Sequence, residues 1–477
     1  MSESELPIVE RTADAVETRV PEPRETIMDR EDRLKPAFVD KVLDAVEAGD
    51  NETARALVEP LHPADIADLI ELAQADEREG LVAALAGIVD ADVIAELNDH
   101  VRELLIDEME PQQVADLVGQ LDTDDAVALI EDLEDDEQRA VLRAMEPDDR
   151  AAIEEALSYP EESAGRMMQR DLIAVPEHWT VGQVIDYLRS GDDLATDFWE
   201  VFVVSPTHHP VGTCKLSAIL RSDRAIAVVS VMAEEQMLIP VGMDQEEVAL
   251  RFQKYALISA AVVDPAGRLV GMITVDDIVH IIQEEAGEDV LLLSGAGDGD
   301  INEPIRLTIR TRLTWLVINL GTAMIAASVV GLFRGEIGRF ALLAVLMPIV
   351  SGMGGNAGTQ TLAVVVRALA TNQLTSSNTQ RMIGRELTIA LANGLSLAVL
   401  IGGGVTLLFD NPPLGMVISA AMVINNIVAG LAGILVPVGL DRARIDPAVS
   451  SAVFVTMATD VMGFFSFLGL ASLAGLG

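Results

Sequence analysis

The stretch Met347-Pro348-Ile349-Val350-Ser351-Gly352-Met353-Gly354-Gly355-Asn356-Ala357-Gly358-Thr359-Gln360 decides what kind of molecule this is. It is uncharged and lies inside a longer uncharged run, 340–366, which exceeds the roughly 18 apolar residues that mark a membrane-span candidate. Glycine at this density weakens a helix and bares backbone carbonyls, which hydrocarbon cannot satisfy. The segment is tolerable where it is buried in protein or lines a wet pore. Gly354, Ala357 and Gly358 also suit close packing against a second helix, and the two uses are compatible.

Working outward, further uncharged runs occupy 313–333, 387–409 and 411–440, and a fifth from 447 to 477 carries one charge, Asp460. The reading is a five-helix, all-α transmembrane domain over 312–477. Composition changes abruptly at its border: residues before Ile305 hold 22 Lys and Arg against 70 Asp and Glu, whereas 306–477 hold 10 against 6. Asp460 falls near the middle of its run, where an ionised carboxylate costs roughly 2.5 kcal/mol or more. No Lys or Arg lies inside the spans to neutralise it, so a cation, a proton or pore water must. Membrane-embedded His and Cys are absent from the sequence, which argues against copper, iron and zinc carriers.

The N-terminus is acidic and polar and shows no apolar signal-peptide core, so the large first part is expected in the cytosol. Loop charge agrees: Arg306, Arg310, Arg312, Arg367, Arg381, Arg385, Arg442 and Arg444 fall inside, and only Arg334 and Arg339 outside. An odd number of spans then places the C-terminus outside a plasma membrane crossed several times. The excess of acid over base suits the solvated surface of a halophile, because near 1 M salt the screening length falls to roughly 3 Å and self-repulsion becomes tolerable. Single acidic residues are therefore weak evidence for cation sites. The lone Cys214 allows no intrachain disulfide and reads as a small core residue.

Residues 1–35 read as a disordered acidic leader. From Leu61 apolar residues recur every twelve positions, at Leu61, Ala73, Leu85, Leu97, Met109, Leu121, Leu133, Met145 and Leu157, with a second series from Leu69 to Ile153. Units so short hold a couple of helical turns and a corner, and they must stack to bury their apolar faces, which predicts an α-helical superhelix over 36–158. Two similar units follow, at 159–230 and 231–286, each opening near a Met (Met168, Met232) and alternating extended runs with helices. They resemble a tandem pair of CBS domains, an α/β regulatory module. Within Gly271-Met272-Ile273-Thr274-Val275-Asp276-Asp277, the resemblance makes Thr274 and Asp277 candidates for contacting ATP or another adenine nucleotide. In the first unit Lys215 and Ala218 stand in those places, so the expectation is one nucleotide site or a purely structural pair. A connecting helix is expected over 287–311, and in the acidic stretch around its start the Glu284–Glu288 and Glu285–Asp289 spacing repeats like charge on one helical face.

Helical superhelix, Tyr159-Pro160-Glu161-Glu162-Ser163-Ala164-Gly165 junction, CBS pair, acidic connecting helix and five spans together resemble the MgtE family of magnesium channels. The motifs carrying the resemblance are the 348–360 stretch, Asp446-Pro447-Ala448 and Thr459-Asp460-Val461-Met462-Gly463-Phe464-Phe465. It implies a homodimer in a lipid membrane, without nucleic-acid partners, whose pore is lined by spans two and five. Asp460 would be the ion-site aspartate with Asn356 beside it, and Gly355, Thr456 and Asp446 complete the candidate pore set. It further implies magnesium uptake through a channel closed by cytosolic magnesium on the acidic domains, for which Asp276, Asp277, Glu284, Glu285, Glu288 and Asp289 are the candidates. A gradient-coupled secondary transporter of magnesium or other divalent cations is the alternative. Oxygen ligands suit magnesium, which gives up its waters reluctantly. An intramembrane aspartyl hydrolase would need two apposed carboxylates, so an enzyme is not expected, and Asp460 would repel the ion of an anion channel.

Overall fold

The structure is a computed structural model and describes residues 27–107, 109–190, 198–234, 236–295, 302–375, 377–449 and 451–476. The chain divides into two units, Met1–Ser158 and Tyr159–Gly477.

In the first unit, helices start at Pro63, Ala75, Asp99, Pro111, Thr123, Asp135 and Pro147, all on one twelve-residue grid. A further helix starts late, at Ala91, after Gly87 takes a positive φ of 87°. Both apolar series face inward: Leu69, Leu81, Val93, Leu105, Leu129, Val141 and Ile153 are buried, as are Ala73, Leu85, Leu97, Leu133 and Met145. Several polar side chains at the corners have local work. Asp90 and Asn98 accept the backbone N–H of Val93 and Val101, and the Gln74–Glu77 and Glu110–Gln113 pairs form capping boxes. Of the expected leader, residues 1–26 lie outside the described residues, whereas Ile27, Met28 and Leu34 are buried in the core of this unit. These apolar side chains draw the segment in, so the ordered domain begins before Pro36.

The second unit opens with two matching three-stranded sheets. The first is β1 (Ala174–Pro176), β2 (Glu200–Val204) and β3 (Pro210–Lys215), and the second is β4 (Leu238–Pro240), β5 (Ser259–Val263) and β6 (Leu269–Thr274). In each the first pair is parallel and the second antiparallel, with a bulge at the same place, Val203/Val204 and Val262/Val263. The two are interlocked: Gln169, ahead of the first sheet, bridges to Met272 on β6, and Ala233, ahead of the second, bridges to Thr213 on β3. Each crossing needs a glycine. A Cβ on Gly271 would stand 2.6 Å from Met168 Sδ, and one on Gly212 would stand 2.6 Å from Met232 Sδ. Cys214 is buried in the first sheet's core, and its thiol is pushed up to about 11 by burial and then by Glu200.

From β6 the chain runs directly into a 20-residue helix, Val275–Ser294, so the connecting helix begins inside the second CBS unit and ends well short of 311. Gly295, at φ 65°, terminates it. Five helices long and apolar enough to cross a membrane follow: span one Ile305–Leu332, span two Leu342–Ala370, span three Thr379–Phe409, span four Pro412–Arg442 and span five Ser451–Leu473. Span four is the most enclosed; Ile418, Ala421, Met422, Ala429 and Ile434 are buried among spans two, three and five. Span two is one unbroken helix through its glycines and Pro348. Gly354 and Gly358 are buried packing sites, while nothing lies within 4 Å of a Cβ built on Gly352 or Gly355.

Candidate pore and its mouth

Pro348 has no N–H, so the carbonyl four residues earlier in span two loses its helical donor. Three residues on, Ser351 Oγ donates a hydrogen bond to Asp460 Oδ1 of span five, and both side chains are half-buried. Among the described residues no basic side chain pairs with Asp460.

Behind this pair stands Asn425 of span four, with 0% exposure. Its Nδ2 donates to the Val350 carbonyl at 2.9 Å, while its Oδ1 has no partner among the described residues. The amide fits because two glycines make room: a Cβ on Gly354 would lie 2.0 Å from Asn425 Nδ2, and one on Gly463 would lie 2.8 Å from it. Gly354 is three residues past Ser351 and Gly463 three past Asp460, so a single buried amide braces both helices directly behind the carboxylate. One turn further, a Cβ on Gly358 would stand 2.6 Å from Val455 Cγ1.

The expected pore set is distributed unevenly. Gly355 and Thr456 are half-buried on the two helices that carry Ser351 and Asp460. The carbonyls of Gly355 and Asn356 both accept from Thr359 Oγ1 at 3.1 Å, and that of Thr456 accepts from Thr459 Oγ1 at 2.9 Å. Asn356 is exposed, and at about 100° per residue it lies about 140° around span two from Ser351. Within one chain, therefore, Ser351 and not Asn356 is the span-two partner of Asp460. Asp446 is exposed just before span five, its Oδ1 accepting the Ala448 N–H at 2.7 Å.

At the mouth, Leu292 and Leu293 of the connecting helix pack on Leu362 and Val366 of span two and on Ala448 and Val455. A Cβ on Gly295 would meet Trp315 Cγ of span one at 3.0 Å. This docking gathers carboxylates. Glu288 still reaches solvent, yet its pKa is held above the ordinary carboxylate value, first by partial burial and then by Glu285, Glu162, Asp446 and Glu284. Glu285 accepts from Gln245 Nε2 at 2.8 Å; Asp276 and Glu284 are exposed. The Asp289 side chain lies outside the described residues. Among the described residues no three His, Cys, Asp or Glu side chains come close enough to chelate a metal.

Thr274 and Asp277 are brought together, as the reciprocal cap of the connecting helix. Thr274 Oγ1 donates to Asp277 Oδ2 at 2.8 Å, and Gln169 Nε2 reaches the same oxygen at 3.4 Å.

Sequence reasoning missed three groups: Ser351, the bracing role of Asn425, and Glu386 of span three, which is only 5% exposed. Glu386 is the first residue before an uncharged run and beside Arg385, so it reads as a boundary charge. The structure starts the helix seven residues earlier, at Thr379, which carries Glu386 about 10 Å along span three, and no sequence signal marks that start.

Three family models match: the MgtE divalent cation transporter over residues 347–470, the MgtE intracellular N domain over 61–162 and the CBS domain over 228–284. The magnesium transporter MgtE of Enterococcus faecalis is 33% identical over 317 residues, 66% of this chain and 70% of the relative. That of Thermus thermophilus is 32% identical over 320 residues, with the same shares. A crystal structure of the cytosolic domain of the Mg2+ channel MgtE in complex with ATP is 26% identical, with a TM-score of 0.47, covering 51% of this chain and 99% of that one.

Proposed function

Because the chain belongs to the MgtE family of magnesium transporters, we propose that it is a magnesium-selective channel for uptake, closed when cytosolic magnesium binds its acidic domains. The observation that carries the pore assignment is Asp460, a carboxylate in mid-span that meets a hydroxyl and no basic group. Embedded ionisable residues are costly and are kept for pathways. A largely hydrated magnesium ion suits a site of one carboxylate, the Ser351 hydroxyl and nearby carbonyls, which exchange with water without full dehydration.

Two copies complete the pathway. Asn356 and Gln360 are exposed polar side chains one turn apart on span two, and in hydrocarbon they would want polar company. A homodimer that apposes spans two and five gives them a wet lumen, with the basic loop ends in the cytosol and the C-terminus outside.

Closure follows from the mouth. The connecting helix seats Leu292 and Leu293 against spans two and five at the cost of crowding Glu288 with Asp446, Glu285 and Glu162. A divalent ion bridging these acids, from one chain or across the dimer, relieves that repulsion and biases the docked state. An adenine nucleotide at Thr274 and Asp277 would tighten the same helix by its first turn, after displacing their mutual hydrogen bond.

The test is magnesium current from purified protein in planar bilayers, with and without sodium and proton gradients. Current that follows the magnesium gradient alone, and that falls as magnesium is raised on the cytosolic face, is the expected result. Flux that ceases when a sodium or proton gradient is removed selects the coupled transporter instead.

A further inference from the structure

Spans two, three and four enclose a second polar site, on the flank of span two away from Asp460. It is a cavity of about 210 Å³ lined by Gln360, Thr361, Arg385, Glu386, Asn393 and Asn426. Its position is set by close packing: a Cβ on Gly430 would meet Ala390 Cβ at 2.9 Å, and one on Gly394 would meet Asn426 Cβ at 3.1 Å. Thr361 lies ten residues beyond Ser351, so the cavity sits about 15 Å further along span two, toward the arginine-rich end.

Three oxygens in it are poorly satisfied. Glu386 is 5% exposed, yet Oε1 meets Arg385 Nη1 only at 3.3 Å and Oε2 meets Thr361 Oγ1 only at 3.4 Å. Asn426 is 1% exposed; its Nδ2 is committed to the Met422 carbonyl at 2.9 Å, which fixes the amide orientation, and its Oδ1 has no partner among the described residues. A buried carboxylate and a buried carbonyl left short of donors are expensive in a membrane domain unless a cation or water meets them.

We infer that the Glu386–Asn426 cavity is a binding site for an alkali cation, sodium or potassium, distinct from the Asp460 site. The donors are hard oxygens: a carboxylate, two or three amide carbonyls and a hydroxyl. The site offers a single carboxylate, weakly shared at 3.3 Å with a solvent-exposed Arg385, too little charge to strip magnesium, whose hydration shell is tight and octahedral. A monovalent ion asks less, and at roughly 30 Å³ per water the space admits it with a few waters. An ion there ties span three to spans two and four, and so stabilises the bundle behind the pore.

The inference does not rest on channel activity, and its test needs none. The full chain, purified in detergent with chelator present, is melted in sodium, potassium and choline chlorides at equal ionic strength, and sodium-22 binding is measured alongside. Sodium or potassium should raise Tm saturably over choline by several degrees. Glu386→Gln should weaken the apparent affinity about tenfold, equivalent to about 1.4 kcal/mol, and Thr361→Val should weaken it less. Asp460→Ala should keep the response. Equal melting in all three salts, protection by magnesium alone, an unchanged response in Glu386→Gln, or its loss in Asp460→Ala would each overturn the assignment. If Glu386→Gln does not fold, Asn426→Ala and the wild-type salt series decide the matter.

Discussion

The part of the chain before Ile305 carries 70 acids and the part after it 6, and the informative carboxylates are in the second group. On the helical superhelix an acid is one of many, often capping a corner or facing solvent, as Asp135 and Asp136 do at 92% side-chain exposure. The two acids embedded in the spans are each answered by a named neighbour: Ser351 for Asp460, Arg385 and Thr361 for Glu386. The same chemical group is surface dressing in water and a mechanistic part in hydrocarbon. What distinguishes them is the solvent that each would face alone.

The sharpest way to break this contrast is to remove one carboxylate from each side. Asp460→Ala should reduce magnesium flux into liposomes by at least about a hundredfold while the protein still elutes as a folded species, because nothing else in the span supplies full negative charge. Asp135→Asn and Asp136→Asn together should change flux by less than about twofold. Wild-type flux from a folded Asp460→Ala variant would end the pore assignment.

A smaller effect is expected at the brace. Gly354→Ala places a methyl 2.0 Å from the Asn425 amide and should cost about 1–3 kcal/mol, read as a fall of several degrees in Tm with a weaker flux. Gly355→Ala, one residue on, has open space and should leave Tm within a degree or so. Equal losses at the two positions would mean that glycine content, and not the Asn425 slot, is what matters.

At the mouth the contrast narrows, since these acids lie outside the spans yet are crowded. Neutralising Glu284, Glu285 and Glu288 to Gln should shift the magnesium concentration for closure several-fold, measured at fixed high salt. Protons should act in the same sense as magnesium. Glu288 has its pKa raised when docked, so docking takes up a proton. That favours closure below the docked pKa and weakens it as pH rises from the free-carboxylate value of about 4.3 through the docked one. Closing at acidic pH should therefore need less magnesium, and Glu288→Gln should flatten the dependence. The smallest effect is nucleotide: calorimetry should find at most one adenine nucleotide per chain, since Lys215 and Ala218 replace the Thr274–Asp277 pair in the first unit.

Spans, repeat and the embedded Asp460 were legible because each is a one-dimensional signal of hydropathy, period or a lone charge in an apolar run. Helix rotation is not such a signal. Whether Ser351 or Asn356 meets Asp460 depends on how span two turns against span five, which is settled by the Gly354–Asn425–Gly463 fit between three helices. The interlocked sheets escaped for a similar reason: Gln169 pairs with Met272 over a hundred residues away, and the repeat units look self-contained in sequence. Glu386 was hidden by its arginine neighbour, which made a buried acid resemble a loop end.

The helix Val275–Ser294 has a mechanical consequence. It leaves β6 without a hinge and ends against the mouth, a rigid rod of 20 residues and about 30 Å. Anchored at one end in a sheet, it acts as a lever: a tilt of about 10° at the strand swings its tip by about 5 Å, the thickness of one helical turn. Leu292 and Leu293 would then leave their seat entirely. On the proposed gating, a rearrangement among the carboxylates too slight to alter either CBS fold would be geared up, by length alone, into a displacement large enough to uncover a pore.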